Sequence, residues 1–288
     1  MSKFVSLIKP CILLLTILLF AQCTNNKKNA PVSYPKGYDL SNPQKFNMPD
    51  ELTEISGIAF NKGNADTIFA EQDEEGKLFY FKPGSNNIQH IKFGKSGDYE
   101  DVAISNGWVI MLRSDGTLFT YPLKDIAKPE ITSTQKQEDL LAAGEYEGLY
   151  ADSNSVHVLC KHCTIDKTSQ AITVFNLQLA ADGSLINAGR STIDVKKIEQ
   201  LTGQKKIAFH PSALSKNPGT GEWYILSSVN KLLVVADADW NIKEVYRLNN
   251  GLFHQPEGMA FDKANNLYIS NEGDKVAPGN ILKFTYTK

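Results

Sequence analysis

The segment Gln255-Pro256-Glu257-Gly258-Met259-Ala260-Phe261 decides the fold, because it recurs. Four other segments align with its centre: Ile55-Ser56-Gly57-Ile58-Ala59, Tyr99-Glu100-Asp101-Val102-Ala103, Tyr146-Glu147-Gly148-Leu149-Tyr150 and Pro211-Ser212-Ala213-Leu214. Each has a polar anchor, a small or acidic residue and then an apolar run. With Ser56, Glu100, Glu147, Ser212 and Glu257 as anchors, the intervals are 44, 47, 65 and 45 residues. Self-similarity at such a period marks a repeat architecture.

The residues after each anchor repeat as well. A second strand is predicted over Thr67–Ala70, Trp108–Leu112, Val156–Cys160, Trp223–Leu226 and Leu267–Ser270. A tight turn such as Glu75-Gly76 or Asp115-Gly116 leads to a third, over Leu78–Phe81, Leu118–Tyr121, Ile172–Leu177, Leu232–Ala236 and Ile281–Tyr286. These runs are rich in β-branched and aromatic residues and bounded by Gly, Asp and Asn, as strands are. A less regular fourth strand is expected over Ile88–Phe93, Thr192–Val195 and Ile242–Leu248, and helical patterns only over Gln135–Ala142 and Lys196–Gly203. Four antiparallel strands every ~45 residues describe an all-β fold, the β-propeller, whose blades bury their faces by stacking around an axis. The five anchors favour five blades over six. After Glu257, 31 residues remain, enough for three strands, so residues 38–48 are expected to supply the fourth and close the ring. The long interval carries an insertion within 161–207.

The chain has 288 residues, 42% of them hydrophobic and 22% charged, as in a globular protein. Residues 1–22 hold Lys3 and Lys9, no acid, and an apolar run from Cys11 to Ala21 that is half of the ~20 residues a membrane-spanning helix needs. A basic start, a short apolar core and small residues near a cut describe a signal peptide. Cys23 stands where a lipoprotein signal places its lipid-accepting cysteine. Residues 23–37 read as a tether and 38–288 as one propeller domain. The expectation is an envelope protein, lipid-anchored to the outer membrane and facing the periplasm, since no acidic run comes after Cys23. A chain starting at Cys23 has 28 basic against 32 acidic residues, a net charge of −4, which argues against a nucleic-acid partner.

The run LTEISGIAF, then GDYEDVAI, RSDGTLFTY, EYEGLY, PSAL and QPEGMAF, resembles the SdiA-regulated family, also called YjiK/CarP-like, over residues 45–288. The resemblance implies an exported or membrane-associated β-propeller. Some members are linked to calcium regulation, and the fold is compared with phytase-type propellers. It brings no defined enzymatic activity.

In a propeller the first strand of each blade lines the channel. Glu100, Glu147 and Glu257 are therefore expected at one mouth, with Ser56 and Ser212 completing the ring. Gathered carboxylates repel unless protonated or neutralised, and an oxygen-rich cluster suits calcium. Asn271, ending a neighbouring strand, adds an oxygen. Glu71, Arg113, Lys161 and Ser228 occupy the corresponding places in the other blades. Two readings stay open: a calcium site, or an ion-pair network in which Arg113 and Lys161 pair with Glu100 and Glu147. The acidic stretch Gln72-Asp73-Glu74-Glu75-Gly76 reads as a solvated hairpin turn. In Cys160-Lys161-His162-Cys163 a local disulfide is preferred over two free thiols, in keeping with an oxidising compartment. His210 and His254, just before two anchors, are read as loop residues rather than general bases. Three functions fit these residues: a calcium-linked binding or sensing protein; a metal-dependent hydrolase, phytase-like or lactonase-like, with its site at the channel mouth; and a scaffold that docks partners through Trp240 or Phe253, unless these pack between blades.

Overall fold

The computed structural model describes residues 34–288. The signal peptide, Cys23 and most of the expected tether lie outside them. The compact unit begins at Tyr34, so Tyr34–Gly37 belong to it.

Alternating apolar runs separated by Gly, Asp and Asn turns form twenty short strands in five four-stranded sheets. The first blade contains β2 (Ile55–Ala59), β3 (Ile68–Gln72), β4 (Lys77–Phe81) and β5 (Gln89–Lys92). The second contains β6 (Tyr99–Ser105), β7 (Trp108–Arg113), β8 (Leu118–Pro122) and β9 (Gln135–Gln137). The third contains β10 (Gly144–Asp152), β11 (Ser155–Cys163), β12 (Ala171–Leu179) and β13 (Leu185–Asp194), followed by helix α1 (Val195–Thr202). The fourth contains β14 (Ala213–Lys216), β15 (Trp223–Ser227), β16 (Leu232–Ala236) and β17 (Ile242–Arg247). The fifth joins β18 (Pro256–Phe261), β19 (Leu267–Asn271) and β20 (Asn280–Phe284) to β1 (Gln44–Asn47) from the other end of the chain. Gln44 pairs with Lys283 and Asn47 with Asn280, antiparallel. Ring closure therefore covers an edge that would otherwise present unpaired backbone groups.

The first strands of successive blades touch around the ring, β18 against β2, β2 against β6, β6 against β10, β10 against β14 and β14 against β18. The core lies between blades. Trp240 stacks on Trp223 at 4.3 Å between ring centroids, and Phe253 stacks on Phe284 at 5.9 Å. Both are buried, so neither aromatic is available to anchor a partner.

One expectation of secondary structure changes. Residues 135–142 contain no helix. Gln135–Gln137 instead pairs with Thr120–Leu118 as the fourth strand of its blade, and the Gln137 side chain accepts from the Leu185 amide at 2.6 Å. Cross-blade hydrogen bonds override a weak helical pattern there. The extra length of the third repeat lies in long strands, the 164–170 turn and α1. Asp194 caps that helix by accepting from the Lys196 amide, and Gly203 ends it at φ 70°.

Three glycines set the width of the axis. A Cβ at Gly57 would lie 2.3 Å from Asp101 Oδ1, and one at Gly258 would lie 2.3 Å from the Ser56 carbonyl. At Gly148 it would press on Leu159 and Leu214. Only glycine permits this backbone approach.

Candidate functional site

Every first strand starts at the same mouth of the channel and ends at the other. The loops joining second to third strands, by antiparallel topology, flank the starting mouth. The anchors stand there. Between Tyr99 opposite Arg113 and Asp101 opposite Leu112, Glu100 is skipped by the ladder. Glu147 is skipped between Tyr146 opposite Cys160 and Gly148 opposite Leu159. Glu257 is skipped between Pro256 opposite Asn271 and Gly258 opposite Ser270. Ser56 falls in a like irregularity between Ile55 and Ile58. A bulge bends the strand and re-aims the extra residue's side chain. One irregularity, repeated, thus brings three glutamates together from positions 100, 147 and 257. Ser212 precedes β14, whose ladder is regular.

The carboxylates feel one another. Burial, with Glu147, Asp98 and Glu257 nearby, pushes Glu100 up to about 9. Burial, then Glu147 and Glu272, pushes Glu257 to about 8, against the lowering effect of the nearby Ser228 side chain. Glu147 is also raised by burial, against an ion pair with Lys161. That pair has a local cause. Lys161 is skipped on β11 between Cys160 and His162 just as Glu147 is skipped on β10, so the two displaced residues meet. Arg113 does not reach Glu100. Its guanidinium forms a bidentate pair with Asp115 in its own turn, at 3.0 and 2.6 Å, and also donates to Thr117 Oγ1. The i,i+2 carboxylate outcompetes a more distant one. Lys231 faces Glu257, but its ammonium donates to the His254 carbonyl.

Sequence reading missed other members of the cluster. Asp73, placed there in a solvated turn, is half-buried. Burial, then Glu54, Glu272, Glu74 and Asp98, raises it to about 7. Glu272 is raised by burial and by Glu54, and Gln255 donates to it. These residues sit in loops with no repeat signal. Asp101 had one: it stands where other blades have Gly57, Gly148, Ala213 and Gly258. Its buried carboxylate accepts from the Val102 amide at 2.8 Å and from the Leu149 amide of the next blade at 2.6 Å.

The remaining polar residues are mostly structural. Ser56 Oγ donates to the Glu100 carbonyl at 3.0 Å, Ser212 Oγ to the Pro256 carbonyl at 2.8 Å, and Ser270 Oγ to the Ser56 carbonyl at 2.5 Å. Glu71 accepts from the Gly57 amide at 2.5 Å through Oε1, while Oε2 has no hydrogen-bond partner. Gln72, rather than Glu71, stands opposite Ile55 as Asn271 stands opposite Pro256. Asn271 is fully buried; its Nδ2 donates to Asn280 Oδ1 at 3.1 Å, and its own Oδ1 has no donor. The amide of His210 donates to Asn230 Oδ1 at 3.0 Å, and burial lowers the pKa of its ring. Cys160 and Cys163 are joined by a disulfide, with Cα atoms 6.0 Å apart, across the segment that displaces Lys161.

The opposite mouth holds a cavity of about 670 Å³, walled by Ile58, Val102, Leu149, Leu214 and Met259 and lined also by Lys62, Lys216 and Lys263. Its volume is in the range of small-molecule sites. The clustered ionisable groups lie at the other end, and that convergence is the stronger chemical signal.

A family model described as SdiA-regulated matches residues 37–275. No curated protein matches the chain. Among solved structures, the glutaminyl cyclase of Myxococcus xanthus is similar at 14% identity and a TM-score of 0.56, over 85% of this chain and 96% of that one. Regucalcin of Agrobacterium tumefaciens, a calcium-binding protein, is similar at 12% identity and a TM-score of 0.49, over 87% and 95%. At 14% identity the likeness to the cyclase is one of fold.

Proposed function

The chain belongs to the SdiA-regulated family, and we propose that it is an envelope protein, lipid-anchored through Cys23, whose acidic channel mouth binds calcium in a binding or sensing role. One observation carries this: three bulge-displaced glutamates share a mouth where one lysine is paired with one of them. The ion-pair alternative loses Arg113, which is held by Asp115. A phosphate-rich substrate finds an acidic mouth with few free cations, so a phytase-like reaction gains no support. Glu257 beside Asn271 leaves a lactonase-like metal site as the catalytic variant of the same reading.

Calorimetric titration of the full-length, chelator-treated protein tests the proposal. Saturable binding of about one calcium, at least tenfold weaker for magnesium and lost in an E100Q/E147Q/E257Q variant, is expected. Absence of heat at millimolar calcium, or unchanged binding in the variant, refutes the cation site. Separately, Cys23→Ala should move the protein from the detergent to the aqueous phase in phase partitioning. An unchanged partition refutes the anchor.

A further inference from the structure

The acidic mouth has an asymmetric rim. Among the described residues the exposed large aliphatics are Ile165 (46% exposed), Ile186, Leu201 (43%), Val229 (68%) and Val276 (93%). All except Ile186 belong to connections on the mouth side. Ile165 lies in the turn after β11, two residues beyond the disulfide that displaces Lys161. Val229 comes after Ser228, whose side chain lies near Glu257. Val276 lies in the 272–279 loop that begins with Glu272. Leu201 is on α1, which follows the fourth strand of the third blade and so starts at this face; the Val195 amide at its start donates to the Gln170 carbonyl of the same turn region as Ile165. The corresponding turns of the first two blades carry Asp73-Glu74-Glu75 and Ser114-Asp115-Gly116 and no aliphatic residue. One sector of the rim thus carries aliphatic residues among exposed lysines, the other is acidic, and both surround the mouth carboxylates.

We infer that this face docks a polypeptide segment, an ammonium or guanidinium entering the channel mouth and neighbouring aliphatic side chains resting on Ile165, Val229 and Val276. Charge complementarity selects the occupant. Glu100, Glu257, Glu272 and Asp73 gather at the mouth, where Lys161 is paired with Glu147 and Lys231 faces Glu257; the exposed Lys167, Lys205, Lys206 and Lys275 lie on the surrounding connections. A free metal ion would make no use of the aliphatic residues. Exposed apolar residues beside a charged recess are what a peptide anchor uses.

The inference rests on the cation-receptive reading of the mouth, and the two can fail separately. The probe is a fluorescein-labelled heptapeptide with one central lysine flanked by three aliphatic residues on each side, read by anisotropy with the full-length protein. Saturable binding is expected, at least tenfold weaker when the central residue is glutamate or the flanks are serine. A V229S/V276S variant should bind the peptide at least fivefold more weakly while its calcium isotherm stays that of wild type, since valines offer no oxygen ligand. Equal binding of the lysine and glutamate peptides, or unchanged binding by the variant, overturns the docking inference, and an intact calcium isotherm then leaves the cation reading standing. Cosedimentation with phosphatidylglycerol vesicles that is lost in the variant, with no peptide binding, also overturns it and assigns the rim to a lipid surface.

Discussion

At Gly258 the absence of a single methyl group decides how closely two blades approach. Gly258→Ala would put a Cβ 2.3 Å from both the Ser56 carbonyl and Ser270 Oγ. Backbone on one side cannot yield cheaply, so the substitution should cost about 1–3 kcal/mol of stability by urea denaturation. Asp101 works by the opposite logic, filling with a carboxylate the space that Gly57 leaves and tying two blades through the Leu149 amide. Asp101→Ala leaves two buried N–H groups without acceptors and should cost about 3 kcal/mol in the same assay. Lys161 tests the cation reading. Lys161→Met removes a positive charge from beside Glu147 and Glu100, so calcium should bind several-fold more tightly in calorimetry. Weaker binding would mean that the lysine organises the cluster rather than competing with the ion.

Among elements, the bulges and the closing strand matter most. The bulges convert a five-fold repeat of backbone into a cluster of side chains, because each skipped residue leaves the ladder at the same height. The β1 strand converts a row of blades into a ring. Deleting the chain through Asn47 strips the edge of β20 and removes Phe46 and Tyr38 from the core that they pack against. A truncated protein should lose its cooperative unfolding transition and aggregate, as light scattering and circular dichroism would report. The disulfide is a lesser constraint on stability. It closes so short a loop that reduction should remove only about 2 kcal/mol on chain-entropy grounds.

Across the whole molecule, proton binding reflects the gathering of carboxylates. Glu100, Glu257 and Asp73 titrate in the ordinary carboxyl range when unfolded and near 9, 8 and 7 when folded. Between those limits the folded state holds more protons than the unfolded state. Stability from these groups is therefore full at about pH 4 and is lost as pH rises through the folded values. Denaturation midpoints of the chelated protein should fall from about pH 5 to about pH 9. Saturating calcium, which needs the deprotonated groups, should flatten the decline, and its own affinity should rise over the same range.

The sequence alone determined the repeat, the blade number and the strand that closes the ring. Those come from periodic apolar runs and turn residues, which are local properties read directly from residue order. It also pointed to Glu100, Glu147 and Glu257, because each begins a strand in the same position of its repeat. Only the tertiary structure decided how the charges are shared. Arg113 chose Asp115, two residues away, while Asp73, Glu272 and Glu54 joined the mouth from loops that obey no repeat. Residues 135–142 read as a helix until the neighbouring blades supplied Gln137 with partners. Periodicity fixes which strand a residue belongs to, but the sum of distances to every other charge and donor fixes its protonation and its partner, and that sum exists only once the ring has closed.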